Sequence, residues 1–86
     1  MTYYKKLRGA KTMTREILKN ARQEAGMTQQ QVADVLGISL RYYKQIESGQ
    51  RTGDFLIWDT LEDITGIHQR NLRQIVETHP DKEDNR

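Results

Sequence analysis

The tightest constraint on this chain is the spacing of start and stop signals between residues 28 and 49, which read TQQQVADVLGISLRYYKQIESG. Thr28 with Gln31 forms a T-x-x-Q capping box, which opens a helix by satisfying two otherwise orphaned amides. Val32, Ala33 and Leu36 follow at helical spacing and predict its buried stripe. Gly37 stops it, because glycine adopts the left-handed backbone of a helix end at no steric cost. Ile38 lies in a very short connector. Ser39 then caps a second helix to about Ser48, and Gly49 stops that one. The stretch therefore predicts two short helices joined by a turn of about three residues, a helix-turn-helix unit.

The remaining chain is expected to wrap this pair. Thr12 or Thr14 is placed to cap a helix running to about Ala25, with Ile17, Leu18, Ala21 and Ala25 in one stripe and Gly26 at its end. The segment Gly49–Gly53, GQRTG, reads as a loop. Asp54 caps a helix over about Phe55 to Thr65, with Phe55, Trp58, Leu61 and Ile64 as anchors and Gly66 closing it. Ile67 is expected to start a last helix to about Thr78, with Leu72, Ile75 and Val76 inward. No segment has strand periodicity, and no internal repeat is visible. The expected architecture is all-α, five short helices around one core, with a basic arm over 1–12, the compact domain over 13–78 and a disordered polar tail over 79–86.

Charge is unevenly distributed. Net charge is +2, yet residues 1–53 carry ten Lys/Arg against four Asp/Glu, and residues 54–86 carry four against eight. A +6 end beside a −4 end suits contact with a polyanion, although an ordinary solvated surface can segregate in the same way. With no cysteine, disulfides and thiolate metal sites are excluded. No apolar run approaches the ~20 residues of a membrane span, and the N-terminus lacks an apolar signal core; a cytoplasmic setting is expected. His68 and His79 are the only histidines, and neither has a carboxylate at an obvious metal spacing. Asp59, Glu62 and Asp63 read as a solvated acidic face. The expectation is no enzymatic activity, no metal and no cofactor.

On a wheel of 100° per residue, the helix after Ser39 places Tyr43, Ile46 and Ser39 on one side. Leu40, Arg41, Lys44, Gln45 and Ser48 take the other. Arginine can hold guanine O6 and N7 with two parallel bonds, glutamine can do the same for adenine, and leucine can touch a thymine methyl. Such a face suits the major groove of DNA, although Arg, Lys and Gln also make good solvated helix surface.

Gln29 to Ser48, QQQVADVLGISLRYYKQIES, resembles the helix-turn-helix of the phage Cro/CI-like (XRE-type) repressor family. Val32, Ala33, Leu36, Gly37, Ile38, Tyr43 and Ile46 stand at that motif's apolar, small and glycine positions. The flanking LKNARQEAGMTQ and IESG are also similar, and the likeness covers roughly residues 14–76. The resemblance implies a five-helix, lambda-repressor-like DNA-binding domain, often a dimer on a palindromic operator. It implies base contacts from Gln29, Leu40, Arg41, Lys44 and Gln45. Phosphate contacts would come from Arg22, Thr28, Gln30, Ser39, Tyr42, Ser48, Gln50, Arg51 and Thr52. Ala33, Gly37 and Glu47 would be structural, Ala33 because two helices cross closely beside it. Unpaired amides at Thr28–Gln30 and the backbone of the 50–52 loop would also face phosphate. A partly buried Arg22–Glu47 pair is expected. Three positions depart from the pattern: Leu40 replaces a commonly polar residue, Tyr43 a Val or Ile, and Asp59 an apolar residue. FLIW, residues 55–58, has too many apolar side chains for one narrow face. Leu56 or Ile57 should stay exposed unless a second subunit or the N-terminal arm covers it. The expected partners are double-stranded DNA and a second copy. Small chains of this family can also act as antitoxins that bind a toxin and repress their own operon, which makes a toxin the alternative partner. RNA fits less well, since the A-form major groove admits a helix poorly.

Overall fold

The computed structural model describes residues 12–78. In chain order these form β1 (Thr12–Thr14), α1 (Glu16–Glu24), α2 (Gln29–Leu36), α3 (Leu40–Glu47), α4 (Phe55–Thr65), α5 (Gln69–Leu72) and β2 (Val76–Thr78). The five-helix architecture agrees with the sequence reading. Residues 1–11 of the expected 1–12 arm and the expected tail over 79–86 lie outside the described residues.

Local chemistry sets most boundaries. Thr28 Oγ1 accepts from the Gln31 amide and Gln31 Oε1 accepts from the Thr28 amide, so the capping box is closed on both sides. Ser39 Oγ accepts from Tyr42 N, and Asp54 Oδ1 from Ile57 N. Each such cap is worth about 1 kcal/mol. Gly37 ends α2 at φ 72° and ψ 29°, a left-handed conformation that any side chain would strain.

The core joins Leu18 and Ala21 of α1, Val32 and Ala33 of α2, Tyr43 and Ile46 of α3, Ile57, Trp58 and Leu61 of α4, and Leu72 of α5. Every helix contributes. Ala33 has no exposed surface, as the expected close approach requires.

Four expectations are corrected. Neither Thr12 nor Thr14 caps α1: Arg15 occupies the cap position without a side-chain cap bond, and Thr12–Thr14 form a strand. The last helix spans only Gln69–Leu72, with His68 rather than Ile67 before it; His68 Nδ1 accepts from Arg70 N. Beyond it, Val76–Thr78 pair antiparallel with β1, with Thr12 opposite Thr78 and Thr14 opposite Val76. Thr12, the last residue of the expected arm, takes part in this pairing. Threonine and valine favour this pleated pairing, and segments of three residues carry no readable period. Inward positions also shift. Phe55 is 71% exposed and Ile75 40%, while Ala25 is exposed at the end of α1. Ile57 is buried where Phe55 was expected, and Leu56, at 69% exposed, fulfils the expectation of an uncovered apolar residue.

Candidate nucleic-acid interface

α3 is the element on which the site is built. Its Tyr43 and Ile46 are fully buried, which fixes the helix about its own axis. Ser39, expected beside them, is exposed at the cap. The opposite side then presents Leu40, Arg41, Lys44 and Gln45, with Arg41 and Lys44 exposed and Leu40 and Gln45 half-buried. These four, together with Ser48 and Gln50, line one depression of about 440 Å³. A smaller one of about 310 Å³ lies beside it, lined by Ser39, Arg41, Tyr42, Gln45 and Arg51. The structure therefore gathers the proposed reading residues of α3 and most of its proposed phosphate residues on one continuous surface.

Gln29 is placed differently. Its Nε2 donates to Glu47 Oε1 at 2.8 Å, so its side chain braces α3 from α2. Gln30 Nε2 donates to Asp34 Oδ1 on its own helix. At the α2 N-terminus the capping box consumes the Thr28 and Gln31 amides. Of the amides expected to be open at Thr28–Gln30, that of Thr28 is therefore already satisfied.

A buried polar cluster anchors α3 to α1. Arg22 Nε donates to Glu47 Oε2 at 2.7 Å and Nη2 to Oε1 at 3.3 Å, with both side chains more than nine-tenths buried. Arg22 Nη1 donates to the Met27 carbonyl. The Tyr43 hydroxyl donates to Glu47 Oε2 at 2.7 Å, which supplies the partner that a buried phenol requires. Glu47 thus accepts from α1, α2 and α3 together. Burial, and then the hydrogen bond to Glu47, push the Tyr43 phenol well above its usual range. The hydrogen bond from Arg22 to Glu47 raises the arginine against the opposing effect of desolvation. Arg22 also borders a groove of about 570 Å³ shared with Lys19, Lys44 and Ser48. It is buried, however, and its Nε and both Nη donate within the protein, so a role on phosphate would need donors already shared with Glu47 and Met27.

The 50–52 loop is organised from within. The amides of Gln50 and Arg51 both donate to the Gln45 carbonyl, which also accepts from Ser48 Oγ. These amides are not open to phosphate as expected; the exposed side chains of Gln50, Arg51 and Thr52 are. The Arg51 guanidinium stands 5.8 Å from the Tyr42 ring centroid. Behind the loop is Arg15, which the sequence reading did not single out. Only 5% exposed, it donates from Nη1 to the carbonyls of Ile46 and Arg51 and from Nε to that of Arg73. Desolvation, and then the nearby Arg73, lower its pKa. Asp59, the departure noted on α4, accepts from Gln69 Nε2 at 2.8 Å and so ties α4 to α5. Among the described residues no three His, Cys, Asp or Glu gather as a metal site, and no helix is long and apolar enough to cross a membrane.

A short helix fixed by its buried face, with long polar side chains on its open face and a preceding helix bracing it, is the arrangement of a helix-turn-helix unit. Residues 18–68 match the family model described as Helix-turn-helix, which is more than half of the 86 residues. The chain belongs to this XRE-type helix-turn-helix family. No curated protein sequence matches it.

Proposed function

We propose that this protein is a sequence-specific repressor that inserts Leu40–Glu47 into the major groove of a palindromic operator as a homodimer. One observation carries the reading. Leu40, Arg41, Lys44 and Gln45 line a single depression on the face of α3 turned away from its buried Tyr43 and Ile46. Arg41 and Gln45 can each make bidentate base contacts, and Lys44 can serve phosphate or guanine. The exposed side chains of Gln50, Arg51 and Thr52 follow at the end of the same helix and suit the flanking backbone. Ser39, Tyr42 and Ser48 sit at the rim, where phosphate contacts would fall. Gln29 acts here through Glu47 as a brace rather than by free reach to a base. A cytoplasmic setting follows from this reading.

Dimerisation rests on a different surface. Phe55 and Leu56 are adjacent at the start of α4, 71% and 69% exposed, and outside the reading face of α3. Covering them with a second copy would let two recognition helices meet half-sites about one DNA turn, ~34 Å, apart. The same apolar pair is the feature that favours a toxin as the alternative partner.

Random-site selection with purified protein tests the proposal. The expected product is a palindrome with half-sites about 10 base pairs apart and at least one guanine per half-site. Affinity should fall steeply with salt, with a log–log slope of roughly −0.9 per phosphate contact. A folded protein that prefers no duplex over scrambled competitor overturns the reading. Tight, salt-insensitive binding to a small protein encoded beside it would favour the antitoxin role.

A further inference from the structure

We propose that Arg15 is a positioning residue for DNA binding, which presets the 50–52 loop by holding its backbone inward so that its side chains face out. The proposal rests on the reading above only for the word DNA; the positioning itself is a property of the free protein.

The loop is held at four backbone points. Gln50 N and Arg51 N donate to Gln45 O at 2.8 and 3.1 Å. Arg15 Nη1 donates to Arg51 O at 2.8 Å, and Trp58 Nε1 to Thr52 O at 2.7 Å. Gly53 completes the seat: a Cβ there would lie 3.3 Å from both Ile46 Cδ1 and Trp58 Nε1. With the backbone polar groups turned to the core, the side chains of Gln50, Arg51 and Thr52 are left exposed.

Arg15 connects this loop to everything that must stay still behind it. Its Nη1 also reaches Ile46 O at 2.6 Å, and its own amide donates to Glu47 O at 2.9 Å. Both acceptors belong to the last turn of α3, where carbonyls lack helical partners and a cation is favoured. Its Nε reaches Arg73 O at 3.0 Å, just after α5. The guanidinium packs 5.1 Å from the Trp58 ring centroid, and Arg73 packs on the same indole at 5.4 Å. The planar fork of arginine can serve three carbonyls while stacking on a ring; a lysine ammonium cannot reproduce that plane. One side chain thus fixes the end of the recognition helix, the loop after it and the end of α5. A loop already ordered before contact loses less conformational freedom on binding.

Two readouts test this, and one of them needs no DNA. In Arg15→Met the amides of Gln50 and Arg51 and the indole N–H of Trp58 should exchange at least about tenfold faster than in the parent, while the amides of Val32 and Ala33 keep their rates. Acceleration spread equally over all these sites would mean general destabilisation and overturn the proposal. On the duplex selected by the parent protein, Arg15→Met should weaken binding by roughly tenfold. It should also make the salt slope shallower by roughly one contact. In an Arg51→Ala background the same change should cost less than about twofold, because the contact being positioned is gone. Equal losses in both backgrounds overturn the proposal. Arg15→Lys disturbs the same carbonyls and carries the identical test if Arg15→Met does not fold. A parent protein without any duplex preference sinks the repressor reading and with it the DNA role, whereas the exchange pattern separately decides whether Arg15 sets the loop.

Discussion

Glu47→Gln should be among the most damaging single changes in this protein, although it alters one atom's chemistry. Glu47 accepts four hydrogen bonds from Arg22, Gln29 and Tyr43, three of them between 2.7 and 2.8 Å. Arg22 and Glu47 are 9% and 7% exposed at their side chains, so little solvent is available to take over either charge. Removing one partner of such a pair leaves the other buried and uncompensated, at about 3–5 kcal/mol. In a domain of this size each kcal/mol moves Tm by roughly 4–8 °C, so a fall of at least about 12 °C is expected. The counterpart Arg22→Met should cost a similar amount. The double variant Arg22→Met/Glu47→Gln removes both charges together and should recover at least about 2 kcal/mol relative to the sum of the single losses. Urea unfolding monitored by circular dichroism and by Trp58 fluorescence, with unchanged m-values, is the assay. A loss below about 1 kcal/mol for Glu47→Gln, or additive losses in the double variant, would refute the claim that a desolvated ion pair anchors α3.

Stability should decline above about pH 10, because the raised Tyr43 phenol stays protonated in the folded protein while its unfolded counterpart ionises. The linked contribution is fully present below that pH and is lost above it at about 1.4 kcal/mol per pH unit; Tyr43→Phe should show a shallower decline in titrated thermal melts. Gly37→Ala should cost about 1–2 kcal/mol by urea unfolding from left-handed strain alone, since a Cβ there meets nothing within 4 Å. Arg41→Ala and Gln45→Ala should each cost about 1–3 kcal/mol of discrimination against one changed base pair, with unaltered Tm; equal losses on every sequence would assign those residues to the backbone instead.

What the sequence revealed is what local chemistry decides. The caps at Thr28, Ser39 and Asp54 act within three residues, and each stands where it was expected. The turn at Gly37 and the stop at Gly66 are equally local. The Arg22–Glu47 pair was accessible only through resemblance, because its partners are 25 residues apart. Arg15 escaped notice for the same reason: its acceptors lie 31, 36 and 58 residues away, and at the head of an amphipathic stripe it reads as an ordinary solvated cation. Phe55 was misplaced because four apolar residues in a row carry no phase. The buried set Ile57, Trp58 and Leu61 fixes the phase, and Phe55 then lies about 120° from Leu61 around the axis. The ribbon was hidden because three-residue strands 62 residues or more apart leave no pattern in either segment.

That ribbon sets Thr12 and Thr78 side by side. Whatever is joined ahead of residue 12 and whatever is joined beyond residue 78 must therefore leave the domain from the same corner. A reporter fused directly at residue 12 will crowd one fused directly at residue 78. Bridging the two positions with a short linker and opening the chain elsewhere should be tolerated, and the exposed turn at Gly26 is the natural place to cut.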